Sequence, residues 1–169
     1  QEDNRNFEEL QARIKEKLAG DKKTQDLLSV VKFVNEKEGL RIEILDTAGF
    51  SMFSSGTNSI EPRAKQLISQ VGESLKVVGN QIAVRGHTDA YQFKNSGNNN
   101  WALSASRADA TRTLLVNDGV TQDRFSRIEG VADSQPVNPQ NPLDPKNRRI
   151  SITVLYRNSA GGDASPSTR

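Results

Sequence analysis

The chain has 169 residues, which is enough for one hydrophobic core of ordinary size and some flanking segments. Its 23 lysine and arginine residues nearly balance its 21 acidic residues, and a net charge of +2 gives no reason to expect a nucleic-acid partner. Cysteine is absent, which excludes a disulfide framework and a thiolate zinc site. No window of the sequence approaches the roughly 20 apolar residues of a membrane-spanning helix.

Two helices are predicted at the start of the chain. The first has four apolar residues at helical spacing among charged ones: Phe7, Leu10, Ile14 and Leu18. This narrow stripe indicates a helix that packs on a neighbouring element or on a second copy of itself. The second predicted helix carries a similar pattern toward Gly39: Leu27, Leu28, Val31 and Val34.

Beyond Gly39, strand patterns and helix patterns alternate. Apolar residues recur at every second position near residues 40–44, 82–86 and 150–154, which predicts strands there, and a further strand is predicted over 125–131. Helical spacing predicts helices over 62–78 and from about 105 to 117, the second with Ser104 as its N-cap. Strands separated by helices indicate right-handed crossovers. We predict an α/β two-layer sandwich in which a four-stranded mixed sheet carries helices on one face, with further helices at the N-terminus.

The same patterns divide the chain into three regions. Residues 1–38 are predicted to form a helical region, and residues 39–157 are predicted to form the domain that contains the sheet. A polar loop is expected over 91–99, before the second helix of that domain. Residues 158–169 are predicted to be a disordered tail, because its small residues have no means of burying themselves.

Two charged residues stand out for their positions. Asp89 ends the strand pattern of Gly86-His87-Thr88-Asp89, and Arg107 lies in the first turn of the next predicted helix. A cation there opposes the helix macrodipole, so a carboxylate ligand near the free N–H groups would account for it. A strand end and the following helix start converge at one edge of an α/β sheet. Asp89 and Arg107 are therefore expected to lie close together, where they could bind a ligand or pair with each other.

Four motifs, in this order and spacing, resemble the OmpA-like peptidoglycan-binding family over residues 39–156. They are Gly86-His87-Thr88-Asp89, Asn100-Trp101-x-Leu103-Ser104-x-x-Arg107-Ala108, Gly130-x-Ala132-Asp133-x-x-Pro136 and Asn147-Arg148-Arg149-Ile150. Within that family, residues 46–53, the Asn100-Trp101 pair and the long loop before it are similar to the MotB-type periplasmic domain of flagellar stators. The resemblance implies the strand and helix order βαβαββ.

The resemblance also implies a function. It predicts a noncatalytic periplasmic domain, without a cofactor or a metal, that anchors a flagellar stator to peptidoglycan through the diaminopimelate of the stem peptide. The implied partners are a second copy of the chain, a MotA-type stator subunit and the flagellar P-ring. The MotA-type contact would use a single inner-membrane helix that precedes this sequence. Residues 1–38 would be the periplasmic or linker region that such proteins use for dimer contact and regulation.

The site residues are likewise implied by the resemblance. Diaminopimelate carries an ammonium and a carboxylate at one end, so Asp89 would bind the ammonium and Arg107 the carboxylate. Four other residues are assigned to the site: Thr88, Asn100, Leu103 and Arg149. Arg148 is expected to be a surface or ion-paired residue, although strand alternation alone does not decide between the two neighbouring arginines.

Two other functions remain open from the sequence. One is a passive wall tether, as in an outer-membrane protein of the OmpA or Pal type. The other is a peptidoglycan hydrolase that uses Asp89, Glu129 or Asp133 as acid and base, although no spacing suggests two carboxylates facing one bond. His87 is the only histidine, and we expect a structural imidazole rather than a zinc ligand or a member of a serine triad.

Overall fold

The computed structural model describes residues 2–92 and 99–157. Its helices and strands, in chain order, are α1 (Glu2–Ala19), β1 (Val31–Asn35), β2 (Gly39–Leu45), α2 (Pro62–Leu75), β3 (Ile82–His87), α3 (Asn100–Asn117), β4 (Phe125–Gly130) and β5 (Arg149–Leu155). Most of the loop predicted over 91–99 and the whole tail predicted over 158–169 lie outside the described residues. Within the described ranges, no helix has the length and apolar content needed to cross a membrane.

The strands form one mixed sheet in the order β1-β2-β5-β3-β4. Neighbouring strands are antiparallel except β3 and β4, which are parallel and connected through α3. The helices cover one face of the sheet, where Ile42, Val84 and Ile152 are fully buried in the core. The prediction of a two-layer α/β sandwich with a mixed sheet is confirmed. The described sheet has five strands rather than four, because β1 is added beside β2.

The prediction of a second N-terminal helix is wrong. A short 3-10 helix spans Gln25–Val30, and the chain then continues as β1. Strand β1 pairs with β2 so that Val31 lies opposite Ile44 and Phe33 opposite Ile42. An apolar run this short fits either a helix or a strand, and its β-branched and aromatic residues favour the strand once a free sheet edge is available.

The first predicted helix is confirmed as α1, and its apolar stripe is buried in the same core as the sheet: Phe7, Leu10, Ile14 and Leu18. The start of α1 is also held by polar contacts. Asp3 accepts a hydrogen bond from the Asn80 side chain at 3.0 Å and another from the Arg157 amide at 3.0 Å. Helix α1 is thus packed against the sheet domain. The boundary between regions 1–38 and 39–157 stays a prediction from the sequence.

Helix α3 begins earlier than predicted. Asn99 is its N-cap and accepts a hydrogen bond from the Ala102 amide at 2.8 Å, so Ser104 lies inside the helix. An asparagine is as good a cap as a serine, and the sequence offered both. Arg107 is therefore the eighth residue of α3 and not part of its first turn. The macrodipole argument for Arg107 is wrong, because the effect is confined to the ends of a helix.

Helix α3 lies directly against the ends of β3 and β4. A Cβ atom on Gly86 would come 2.1 Å from the carbonyl oxygen of Ser104. A Cβ atom on Gly130 would come 2.2 Å from the amide nitrogen of Ala105. Only glycine permits this approach at either position. The approach places the first turns of α3 beside the loop that follows β3.

Candidate ligand-binding site

A pocket of about 450 Å³ opens at the sheet edge where β2 and β3 end and β5 begins. These strand ends are neighbours because Leu45 and His87 both pair with Arg149. Five of the six predicted site residues line the pocket: Thr88, Asp89, Asn100, Leu103 and Arg107. The loop after β2 and the segment before β5 supply further wall residues, which include Asp46, Phe53 and Arg148.

Asp89 is the second residue after β3, and its carboxylate is held on both sides. One oxygen accepts a hydrogen bond from the Tyr91 amide at 3.0 Å, and the other is 2.6 Å from a terminal nitrogen of Arg148. Asp89 therefore pairs with Arg148, and among the described residues its ion pairs do not include Arg107. The simple Asp89–Arg107 bridge that the sequence left open is not formed.

Asn100, Thr88 and Leu103 shape the wall around Asp89. The Asn100 side chain donates to the carbonyl oxygens of Asp89 at 3.3 Å and Tyr91 at 3.0 Å, which fixes the loop after β3. Thr88 donates its hydroxyl to the Asp89 carbonyl at 2.8 Å. Leu103 is buried one helical turn after Asn100 and supplies apolar surface.

Arg107 is held by the loop that connects β2 to α2. Its Nε donates to the carbonyl oxygen of Thr57 at 2.7 Å, and Nη2 donates to that of Ser54 at 3.4 Å. The guanidinium carbon lies 4.9 Å from the centre of the Phe53 ring, which is a cation–π distance. These contacts fix the plane of the guanidinium at the pocket wall.

Asp46 is a functional candidate that sequence analysis missed, and Arg148 is one that it expected to be only a surface or ion-paired residue. Arg148 bridges two carboxylates, since its Nε is 3.0 Å from Asp46 and its Nη1 contacts Asp89. The Asp46 carboxylate also accepts from the Met52 amide at 3.0 Å. A signal for Asp46 was present, because it follows a predicted strand just as Asp89 does. The sequence alone does not show that the ends of these two strands lie close together, because that depends on the order of the strands in the sheet.

Burial shifts the pKa values of these groups. Burial raises the pKa of the Asp46 carboxyl, although its hydrogen bonds with Met52 and Arg148 act in the opposite direction. Burial lowers the pKa of Arg107 to about 10, so it stays charged at neutral pH. Burial also acts to lower the pKa of Arg148, but the hydrogen bonds and charges of Asp46 and Asp89 outweigh it and raise that pKa. The pocket wall thus combines two carboxyl groups with two guanidinium groups.

The structure does not bring Arg149 into this pocket. Its Nε lies 3.4 Å from Glu43, and Nη2 donates to the carbonyl oxygen of Gln135 at 2.8 Å, on the face of the sheet that the helices leave open. Successive residues of an extended chain point to opposite faces, so Arg148 reaches the pocket and Arg149 does not. The preference for Arg149 over Arg148 is corrected accordingly.

The carboxylates proposed for a hydrolase are also dispersed. Glu129 pairs with Arg85 at 2.8 Å on the open face of the sheet, and Asp133 is exposed. Neither residue lines the pocket that contains Asp89. The second carboxylate of the pocket is Asp46, which shares the guanidinium of Arg148 with Asp89.

Comparison with known proteins now identifies the family. Residues 52–149, more than half of the chain, match the OmpA family. The chain belongs to the OmpA family. It is 33% identical over 166 residues to motility protein B of Escherichia coli strain K12, an alignment that covers 90% of this chain and 54% of that protein. The chain therefore spans about half the length of this curated relative.

Two solved structures extend the comparison. The cell wall anchor of the T6SS from Pseudomonas aeruginosa is 28% identical, with a TM-score of 0.65 over 85% of this chain and 96% of that chain. The periplasmic domain of Helicobacter pylori MotB has a TM-score of 0.66 over 76% of this chain and 81% of that chain. Its identity is 18%, so it shows the shared fold alone. The predicted resemblance to the OmpA-like family and to MotB is confirmed.

Proposed function

We propose that this chain is a noncatalytic peptidoglycan-binding domain that anchors a flagellar stator to the cell wall through the diaminopimelate of the stem peptide. One observation carries the proposal. The pocket presents the Asp89 carboxylate and the Arg107 guanidinium on adjacent walls. The free end of diaminopimelate bears one ammonium and one carboxylate, so it matches these two groups in sign and in number.

The contacts of Arg107 leave capacity for a ligand. A guanidinium has five N–H donors, and the carbonyl oxygens of Thr57 and Ser54 engage two of them. A ligand carboxylate can accept from donors on the remaining edge, which is the geometry that guanidinium groups provide best. Phe53 and the two carbonyl oxygens hold the group in place before the ligand arrives, and this lowers the entropic cost of binding.

Asp89 offers the complementary contact. A ligand ammonium would donate to the Asp89 carboxylate, and it would share that carboxylate with Arg148. Because Arg148 also binds Asp46, it keeps a carboxylate partner when the ligand arrives. We infer that the Asp46–Arg148 pair keeps the Asp89 carboxylate oriented in the free protein.

The cellular setting is part of the same proposal. Similarity to motility protein B supports a periplasmic domain of a single-pass inner-membrane protein. The partners would be a second copy of the chain, a MotA-type stator subunit and the flagellar P-ring. A modest affinity at each pocket is sufficient, because dimerisation and several stator units increase the avidity for the cell wall. The alternative is a passive tether of the OmpA or Pal type, which would use the same pocket.

Cosedimentation with purified sacculi tests the proposal. The parent chain should pellet with the sacculi, and Asp89→Ala and Arg107→Ala should stay in the supernatant while remaining folded. Arg127→Ala is the matched control, because Arg127 pairs with Glu38 and Glu129 on the open face of the sheet. Equal pelleting of all four proteins would overturn the site assignment. Release of soluble fragments from the sacculi would instead favour a hydrolase.

A further inference from the structure

His87 is a buried histidine whose hydrogen bonds define its protonated nitrogen. Its Nε2 lies 3.3 Å from the Ser151 hydroxyl, and that hydroxyl lies 2.7 Å from Glu43. Glu43 is a carboxylate held beside Arg41 and Arg149, so it can only accept a hydrogen bond. The single hydroxyl proton of Ser151 therefore goes to Glu43. Ser151 can then only accept from His87, which requires the proton on Nε2.

The other ring nitrogen is consequently a bare acceptor inside the protein. His87 is 3% exposed, and Nδ1 has no hydrogen-bond partner among the described residues. A second proton on the ring is disfavoured, because burial and the nearby charges of Arg149, Arg85 and Arg41 lower the pKa of His87 to about 3. Leaving a buried acceptor without a donor would cost about 1–3 kcal/mol.

A small cavity lies between His87 and the ligand pocket. Its volume is about 10 Å³, roughly the size that one water molecule requires. Its polar lining residues are His87, Asp46, Arg107, Arg148 and Arg149, and Met52 and Phe53 supply its apolar lining. Two of these arginines and Asp46 also line the ligand pocket. The cavity is therefore polar on several sides, and a buried water typically needs two to four such partners.

We propose that one ordered water in this cavity donates to Nδ1 of His87 and joins it to the Asp46, Arg107 and Arg148 groups of the pocket wall. His87 is then a positioning residue that acts on the ligand through this water. The water supports the pocket wall from behind, and it can donate its second proton to Asp46 and accept from a guanidinium. This role rests on the proposed function of the pocket, whereas the tautomer and the water are properties of the free protein.

Two substitutions test the roles of the two ring nitrogens of His87 separately. In His87→Asn the amide oxygen takes the place of the Nδ1 acceptor, and the contact with Ser151 is lost. In His87→Gln the amide nitrogen keeps the donor toward Ser151, and the acceptor in the cavity is lost. His87→Asn is the matched control, because it loses the contact with Ser151 and keeps the acceptor toward the cavity.

The experiment combines three measurements. Nitrogen-15 NMR of the free parent chain at neutral pH should show the Nε2–H tautomer, and a high-resolution crystal structure should show one water beside Nδ1. Affinity for a diaminopimelate-containing stem tripeptide should fall about fivefold to tenfold in His87→Gln, the size of one hydrogen bond to a polar network. It should stay within about twofold of the parent in His87→Asn.

The results that would overturn this inference differ from those that would overturn the proposed function. An Nδ1–H tautomer, a dry cavity, or equal loss of affinity in His87→Asn and His87→Gln would overturn the inference. A purely structural histidine would give variants whose affinity follows their stability, so the free energy of unfolding is measured for each. If the parent does not bind the tripeptide, the proposed function is wrong. The NMR spectrum and the crystal structure would still show whether the His87 tautomer and the water are present.

Discussion

The ligand pocket and the open face of the sheet are built from the same charged residue types, but they use them differently. On the open face, Arg85 and Arg127 pair with Glu129 at 2.8 Å and 3.3 Å, and both side chains are about one-third exposed. At the pocket, the side chains of Asp46 and Asp89 are 6% and 10% exposed. The ion pairs of the open face are partly exposed to solvent and contact one another. Those of the pocket are buried and line a cavity of about 450 Å³.

The contrast shows how charged side chains can be kept available to a ligand. Exposed pairs satisfy each other and are worth little, because solvent screens them. The pocket charges are held by backbone groups: carbonyl oxygens fix Arg107, and amides fix Asp46 and Asp89. With these contacts made, the carboxylates can still accept hydrogen bonds from a group in the cavity, and the guanidinium can still donate them. Variants in each region should therefore behave differently, and their effects are expected to decrease in the following order.

The strongest effect is expected where α3 touches the sheet. Gly86→Ala should lower the free energy of unfolding by more than about 3 kcal/mol, because the new methyl group would overlap the Ser104 carbonyl. Urea denaturation measures the change. Gly49→Ala is the control, since a Cβ atom there meets nothing within 4 Å, and it should stay within about 0.5 kcal/mol of the parent. Similar stabilities for the two variants would show that α3 does not depend on this approach.

The second effect compares one carboxylate from each region. Asp89→Asn should weaken binding to sacculi about a hundredfold, because it removes the anion and leaves Arg148 with a single charged partner. Glu129→Gln on the open face should bind within about twofold of the parent. Binding isotherms from cosedimentation measure both. If the two variants bind alike, the pocket and the open face do not differ in function.

The third effect is a pH dependence of stability that comes from His87. Its pKa is about 3 in the folded chain, against 6.5 for an unperturbed histidine side chain. Between these values the unfolded chain binds a proton that the folded chain does not. Stability is therefore lost as the pH falls, by about 2 kcal/mol from pH 7 to pH 5. Urea denaturation of His87→Gln should show a pH dependence smaller by that amount, and an unchanged dependence would contradict the burial of a neutral imidazole.

The weakest effect is expected for an ion pair of the open face. Arg85→Ala should cost only about 0.5 kcal/mol of stability, because Arg85 and Glu129 are both partly exposed. It should leave binding to sacculi unchanged. Thermal denaturation at low and high salt measures the first point, and the difference from the parent should shrink as salt rises. A loss above about 2 kcal/mol would mean that this face is a buried surface in solution.

The sequence predicted the fold well where a pattern had only one reading. Regular alternation over 40–44 and 82–86 became β2 and β3, and the stripe of Leu10 and Ile14 became part of α1. The failures lie where local patterns are ambiguous. The run from Leu27 to Val34 fits a helix or a strand, and pairing with β2 decided the outcome.

The lining of the pocket was predicted in part for a similar reason. Asp89 and Arg107, which line it, stand in motifs with fixed spacing. Asp46 and Arg148 were missed as site residues because their roles come from the sheet order and from loop conformation, which no local pattern encodes. Arg148 and Arg149 are neighbours in sequence, and only the structure shows that one reaches the pocket and the other reaches Glu43.

One titration discriminates most sharply between the pocket and the open face as the place where peptidoglycan binds. The parent chain, labelled with nitrogen-15, is titrated with a diaminopimelate-containing stem tripeptide and with the same peptide carrying lysine, which lacks the side-chain carboxylate. We expect amide shifts around Asp89 and Arg107, with affinity for the lysine peptide at least about tenfold weaker because Arg107 loses its partner. Equal affinities, or shifts that map to the open face near Arg85 and Glu129, would contradict the assignment of the pocket.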